Sequence, residues 1–259
     1  MSTPEASLRL MLRALKLPSF LANHEEIGRG AERQGWTFSQ GLRQLCEIEL
    51  HDRRERRIGR MQKASCLPAS KTLSTLETAA LPAKVRRQLP ALCEGNFAER
   101  GDNVLLFGLP GRGKTHVAAA IGHELVLRGR PVLFSSTRGL VEKLLVAKRE
   151  LQLEKALRRL DGFDVVILDD IGYVQQDRDQ MEVLFTLFAQ RYERRSLVIT
   201  SNLVFSQWDR IFKDPMTTAA AIDRLVHHAV ILEMTGLSRR SEEAKKRQSM
   251  RTKKEVVES

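Results

Sequence analysis

Residues 103–115 read NVLLFGLPGRGKT, and HVAAAIGHELVLRG continues from 116 to 129. The run NVLLF has the length and composition of a buried strand, and the residues after the loop are helix-like. Between them lies GLPGRGKT, residues 108–115, which is Gly, four residues, Gly, Lys, Thr. Gly108, Gly111 and Gly113 let the backbone bend so that successive N–H groups, with the positive end of the following helix, face a polyphosphate. In this pattern Lys114 is expected to reach the β and γ phosphates, and Thr115 to offer its hydroxyl to Mg²⁺. A strand, this spacing and a helix, in that order, set the expected fold: α/β, built on a parallel sheet.

Working outward, four further runs read as strands: PVLFS (131–135), DVVIL (164–168), SLVIT (196–200) and AVILE (229–233). They alternate with longer amphipathic stretches, as repeated strand and helix units do. In an open parallel sheet, ligands bind at the carboxyl ends of the strands. The third strand ends there in Asp169 and Asp170, so the first carboxylate is expected beside the metal and the second beside an attacking water. Phosphoryl transfer depends mainly on such positioning and on charge stabilisation. The fourth strand ends in ITSN and brings Thr200 and Asn202 to the same edge. Arg224, in AAAIDRLVHH, and Arg240, in GLSRRS, receive no task from spacing alone.

The flanks differ in texture. From Pro4 to about Cys93 no strand is evident, while Leu8, Met11, Leu12 and Leu15, and then Phe38, Leu42, Leu45 and Ile48, recur at helical spacing. The second helix is expected to run on through HDRRERRIGRMQK, residues 51–63, where six basic groups outnumber two acidic ones. That surface reads either as a solvated face with i,i+4 ion pairs or as a contact for nucleic acid or a partner. Prolines at 68, 82 and 90 mark a joint of loop and short helix. The chain is therefore expected to divide into a helical amino-terminal domain over residues 1–93, a core over 94–236 and a basic tail over 237–259.

The 259 residues carry 43 Lys plus Arg against 32 Asp plus Glu, a net charge of +11. That balance suggests a polyanionic partner. Residues 1–100 contribute +6, 101–236 only +1 and 237–259 +4, so the excess sits on the flanks. No apolar run is long enough to span a bilayer, and charge interrupts the start of the chain where a signal peptide needs an unbroken apolar stretch, so a cytoplasmic protein without membrane contact is expected. Cys46, Cys66 and Cys93 lack paired metal or redox spacing and read as free thiols.

GLPGRGKTH, VVILDDIG, TSN followed by FSQWDRIFKD, and AIDRLVHHAVIL together resemble the IstB family of AAA+ ATPases, the transposition helpers of insertion sequences, which are related to the DnaC helicase loaders. The resemblance covers nearly the whole chain, including LRALKLPSF and the arginine-rich helix leading into RMQKASCLPASKTL. It implies a P-loop AAA+ domain with a five-stranded parallel sheet and a reduced or absent lid, preceded by a small all-α domain. Gly108, Leu109, Pro110, Gly111, Arg112, Gly113, Lys114 and Thr115 would bind ATP and Mg²⁺. Asp169 and Asp170 would be the Walker B acids, and Asn202 sensor 1. By the same resemblance Arg224 would be an arginine finger reaching the ATP of a neighbouring subunit, so that hydrolysis is completed in a homo-oligomer, and Arg240 a possible sensor 2.

The chain departs from the family pattern in three places. Asp170 stands where AAA+ proteins more commonly carry Glu. GLSRR replaces the usual GESYR, placing Leu237 and Arg239 where Glu and Tyr are expected. Only about 26 residues follow the last strand, too few for a full helical lid. Between the second and third strands, Arg138, Lys143, Lys148, Arg149, Lys155, Arg158 and Arg159 fall in a stretch that reads as two helices, either an ordinary crossover or, as the initiator group of AAA+ proteins implies, a DNA contact. The expected function is an ATPase that oligomerises on double-stranded DNA and presents the target to, or stimulates, an IstA-like transposase. The alternatives are a helicase loader that binds single-stranded DNA and an ATP-binding scaffold with little turnover.

Overall fold

A computed structural model describes residues 4–173, 178–210 and 215–235. It divides into two compact units, Met1–Arg60 and Met61–Ser259. The first holds helices α1 (Pro4–Ala14) and α2 (Pro18–Gln34) and most of α3 (Phe38–Ser65). The second continues through α4 (Ala83–Glu94), α5 (Asn96–Arg100), β1 (Asn103–Phe107), α6 (Lys114–Leu127), β2 (Val132–Ser136), α7 (Thr137–Arg149), α8 (Leu153–Leu160), β3 (Val165–Asp169), α9 (Arg178–Arg191), β4 (Ser196–Ser201), α10 (Pro215–Val226) and β5 (Ala229–Glu233).

The five strands form one sheet in the order β2-β3-β4-β1-β5, every pair parallel. All five strands expected from the sequence are present, two of them displaced by a single residue. Every residue of β1 and β4 is buried, as strands covered on both faces must be, and this is why they read as unbroken apolar runs. One face is covered by α6, whose Val117, Ala118, Ala119, Ala120, Ile121 and Leu125 are fully buried between the sheet and α4. Its alanines let the helix axis approach closely, and each buried Ile or Leu contributes about 1.5–3 kcal/mol. The opposite face carries α7, α9 and α10, with Leu144, Leu184, Phe188 and Trp208 in its core.

One charged residue is part of that core. Arg191, at the end of α9, is 1 % exposed and donates to the carbonyls of Leu160, Phe163, Asp164 and Ser196. Its guanidinium therefore ties the α8–β3 connection to the start of β4. Burial pulls its pKa down to about 10, partly offset by Asp161.

The boundary expected at 93/94 does not hold: residues 61–93 belong to the compact unit of the sheet. The cause is packing along α6. His123 Nε2 lies 3.1 Å from the Pro68 carbonyl, His116 Nε2 3.1 Å from that of Thr72, and Leu67 fills the space above Gly122. What composition suggested as a joint is instead a strap on the helix that starts at Lys114. Pro90, read as punctuation, sits inside α4.

In the first unit, α3 runs unbroken through the arginine-rich stretch, as expected. Glu49, only 4 % exposed, is its organising charge. It accepts from the Ser19 N–H at 2.8 Å, near the start of α2, and from Arg53 Nε at 2.7 Å, with Arg56 Nη2 at 3.3 Å. Burial alone would raise the Glu49 pKa; the bonds from Arg53 and Ser19 outweigh it and hold the carboxyl below its ordinary value. Arg53 and Arg56 of the arginine-rich stretch are thus engaged inside the unit. The apolar stripe of α1 is real in spacing, but only Leu12 is buried, while Leu8, Met11 and Leu15 are exposed.

Candidate nucleotide site

The loop after β1 has the backbone its glycines foreshadow. Gly108, Gly111 and Gly113 adopt φ of 151°, 80° and 83°, and a Cβ on Gly108 would lie 2.5 Å from the Met234 carbonyl oxygen. A side chain at 108 is excluded by both conformation and space. Leu109 and Pro110 are exposed, and Arg112 is partly buried with Nη1 enclosed and unbonded. α6 begins at Lys114, so its first free N–H groups face the loop. Lys114 is nearly buried and its ammonium donates to the carbonyls of Gly108 and, at 3.0 Å, Leu109. Thr115, in the first turn, is partly exposed. The bent glycine backbone, the helix start and the inward lysine fit a polyphosphate.

At the same carboxyl edge, β3 delivers Asp169. One side chain connects it to its neighbours: Thr200 on β4, 1 % exposed, donates its hydroxyl to Asp169 Oδ1 at 2.7 Å and accepts from the Asp170 N–H at 2.8 Å. Thr137 donates to the Asp169 carbonyl at 3.1 Å. Asp170 is already off the strand, in a left-handed turn with φ 63°. Asn202 follows β4, with Oδ1 enclosed and unbonded beside Gly172; a Cβ on Gly172 would be 2.0 Å from that oxygen. Asp169, Asp170 and Asn202 therefore cluster around Thr200 and the 170–172 turn. Asp169 offers a carboxylate and Thr115 a hydroxyl, oxygen donors of the kind that would suit Mg²⁺.

Sequence reasoning brought Thr200 to the edge but did not see that it holds both aspartates, and it missed Gly172. The signal for Gly172 was present in VVILDDIG, where a glycine follows the two acids. His116, adjacent to Thr115, was also missed; it fastens the 66–76 strap through Thr72 and Thr75. A largely apolar cavity of about 300 Å³ opens beside Gly108, lined by Phe107, Val204, Ile231, Glu233 and Met234.

Arg224 is elsewhere. It lies in the last turn of α10, with its guanidinium 4.8 Å over the Phe185 ring and Nη1 donating to the Ala220 carbonyl. The next residue, Leu225, accepts from the Asn103 side chain at 3.1 Å, and Asn103 is the first residue of β1. The phosphate loop leaves β1 at its other end, roughly 13 Å away at strand rise. Arg240, Leu237 and Arg239 lie outside the described residues, as do the segment behind the lid expectation and Phe212 of the FSQWDRIF segment. Trp208 of that segment is a fully buried core residue against Phe107. The basic stretch 138–159 forms two helices, as expected, with Arg138, Lys148 and Arg158 in ion pairs with Glu142, Asp179 and Glu154.

Residues 10–249 match the family of IstB-like ATP binding proteins. An insertion sequence ATP-binding protein of Sinorhizobium fredii is 47 % identical over 231 residues, covering 89 % of this chain and 78 % of that one. Among solved structures, the replication initiator DnaA bound to AMPPCP and single-stranded DNA superposes with a TM-score of 0.56 at 17 % identity, over 67 % of this chain and 52 % of its own. The DnaC helicase loader does so with a TM-score of 0.52 at 20 % identity, over 68 % and 99 %. At those identities the two structures show the fold alone, and the fold is that of a P-loop AAA+ domain.

Proposed function

Because the chain belongs to the family of IstB-like ATP binding proteins, we propose that it is an ATPase that assembles on double-stranded DNA and delivers that DNA to, or stimulates, an IstA-like transposase. The observation that carries the reading is the division of labour across the sheet. The phosphate loop and the cluster of Asp169, Asp170, Thr200 and Asn202 occupy the carboxyl edge, while Arg224 adjoins the amino end of β1. Arg224 adjoins the end of β1 opposite the phosphate loop, which favours action on a neighbour's nucleotide.

In this reading the loop 108–115 holds the ATP phosphates, with Lys114 transferring its bonds from the loop carbonyls to the β and γ phosphates. Thr115 and Asp169 hold Mg²⁺, which neutralises phosphate charge. Asp170 and Asn202 position the attacking water. Arg224 of one subunit completes the site of the next, a contribution of about 10³ to 10⁵ in rate for such a finger. ATP then acts as the signal for assembly, and hydrolysis releases or remodels the complex. The exposed basic groups of α7, α8 and the arginine-rich stretch of α3 contact DNA phosphates without reading sequence.

The test is complementation in trans. Lys114→Ala and Arg224→Ala should each be almost inactive alone, and mixing them with duplex DNA should restore hydrolysis, because a Lys114→Ala subunit can still lend its arginine. Wild-type turnover by Arg224→Ala alone, or no recovery on mixing, would overturn the shared site. Gel shifts at 50 and 200 mM salt, with duplex and single strands of equal length, test the partner. Duplex preference, ATP dependence and a steep loss of affinity with salt are expected; single-strand preference would favour a helicase loader.

A further inference from the structure

Away from the nucleotide edge, the structure brings Glu193, His227 and His228 together, and we propose that these three side chains bind one divalent transition-metal ion of the zinc class. Glu193 lies in the connection between α9 and β4, and the two histidines join α10 to β5. Their candidate ligand atoms all fall within 4.8 Å of one another. His227 Nδ1 is 3.7 Å and His228 Nε2 3.9 Å from the same carboxylate oxygen, Glu193 Oε1. The two rings are 4.1 Å apart.

The backbone beneath the cluster is held in place. The His228 carbonyl accepts from the Asn103 N–H at 2.7 Å, and the His227 N–H donates to the Asp223 carbonyl at 3.0 Å. Glu193 has a left-handed φ of 56°, and its backbone rests on Gly101, where a Cβ would come within 3.1 Å. Both connections are thus fixed by the sheet while the three side chains remain about half exposed and adjustable. Ligands of a tetrahedral zinc ion at about 2.0–2.1 Å stand roughly 3.3–3.5 Å apart, so the two histidine–glutamate distances need to close by a few tenths of an ångström and the widest pair by no more than about 1.5 Å.

Two imidazoles and one carboxylate are a common donor set for zinc, with the remaining position left to water. An ion pair would need only one of the two rings, whereas a bound cation uses both rings together with the carboxylate. Tyr192, whose hydroxyl is 2.9 Å from His227 Nδ1, would yield that nitrogen and remain beside the bound water. The site adjoins Arg224, so an ion there would clasp the connection that follows the proposed finger, yet its existence does not depend on that role.

The experiment uses untagged full-length protein, stripped by chelator and held in excess Mg²⁺, titrated with ZnCl₂ by calorimetry and followed by thermal unfolding. One equivalent should bind and raise Tm. Glu193→Gln and His228→Gln should weaken binding about tenfold or more, with zinc-free Tm unchanged. A Co²⁺ spectrum should show nitrogen and oxygen ligation without a thiolate charge-transfer band, which separates this site from Cys46 and Cys66. The proposal is overturned by absence of saturable binding, by variants that bind as the wild type does, or by a thiolate band.

Discussion

Gly172→Ala is a sharp probe of the site because it adds one methyl group against Asn202, one of the two side chains proposed to position the water. The new Cβ would sit 2.0 Å from Asn202 Oδ1 and 3.1 Å from its Cγ, whereas ordinary contact begins near 3.4 Å. The amide must retreat by more than 1 Å. Gly172 has no positive φ, so the backbone accepts alanine, and the obstacle is the far end of a movable side chain. The cost to stability should therefore stay below about 1 kcal/mol, further offset by the smaller entropy of the unfolded chain. The cost to chemistry should be larger, because a misplacement of about 1 Å typically loses about 10² in rate. ATP turnover with duplex DNA should fall about 100-fold while nucleotide affinity, read with a fluorescent ATP analogue, stays within about threefold. Asn202→Ala removes the obstacle along with the group, so Gly172→Ala should add nothing in that background. Undiminished turnover in Gly172→Ala, or two effects that simply multiply, would refute the role given to Asn202.

Other expectations follow from single contacts. Thr200→Val removes the hydroxyl shared by Asp169 and Asp170; it should cost about 1–3 kcal/mol in urea unfolding and at least about tenfold in turnover, with Thr200→Ser nearly normal. Arg191→Met leaves four carbonyls without their donor and should lower stability by about 3–5 kcal/mol, a Tm fall on the order of 10 °C by calorimetry, without acting on nucleotide directly. Burial pushes the Cys93 thiol up to about 11, so at pH 8 it is almost wholly un-ionised; iodoacetamide followed by mass spectrometry should label the exposed Cys46 and Cys66 and spare Cys93. Labelling at Cys93 with comparable speed would mean the α4 face opens in solution.

The features of this fold that could be read from sequence are those whose cause is local. Residues 108–115 need glycine conformations and a strand and helix on either side, so the spelling itself constrains the geometry. The strands were legible because burial on both faces demands continuous apolar residues. What escaped depends on who packs against whom. Nothing local in Leu67, Pro68, Thr72 or Thr75 says that they lie along α6, and so the boundary drawn at 93 falls about thirty residues late. Pro90 misled because a proline late in a helix signals an end more often than it is tolerated. Leu8, Met11 and Leu15 show the converse: a helical period identifies a face but not whether anything covers it. Thr200 was visible as a polar residue at the right edge, but its two hydrogen bonds join β3 to β4, and that pairing is a property of strand order.

The left-handed turn at Asp170 bears on the family departure at that position. Asp and Asn occupy φ near +60° more readily than longer side chains do, since their short polar groups bond locally. Here the backbone, pinned by Thr200, decides where the carboxylate is launched. Replacing Asp170 by glutamate would therefore lengthen the arm without moving the shoulder, and would project the acid past the place proposed for the aspartate's action. Engineering for faster turnover has to begin with the turn and its threonine, and only then change the acid.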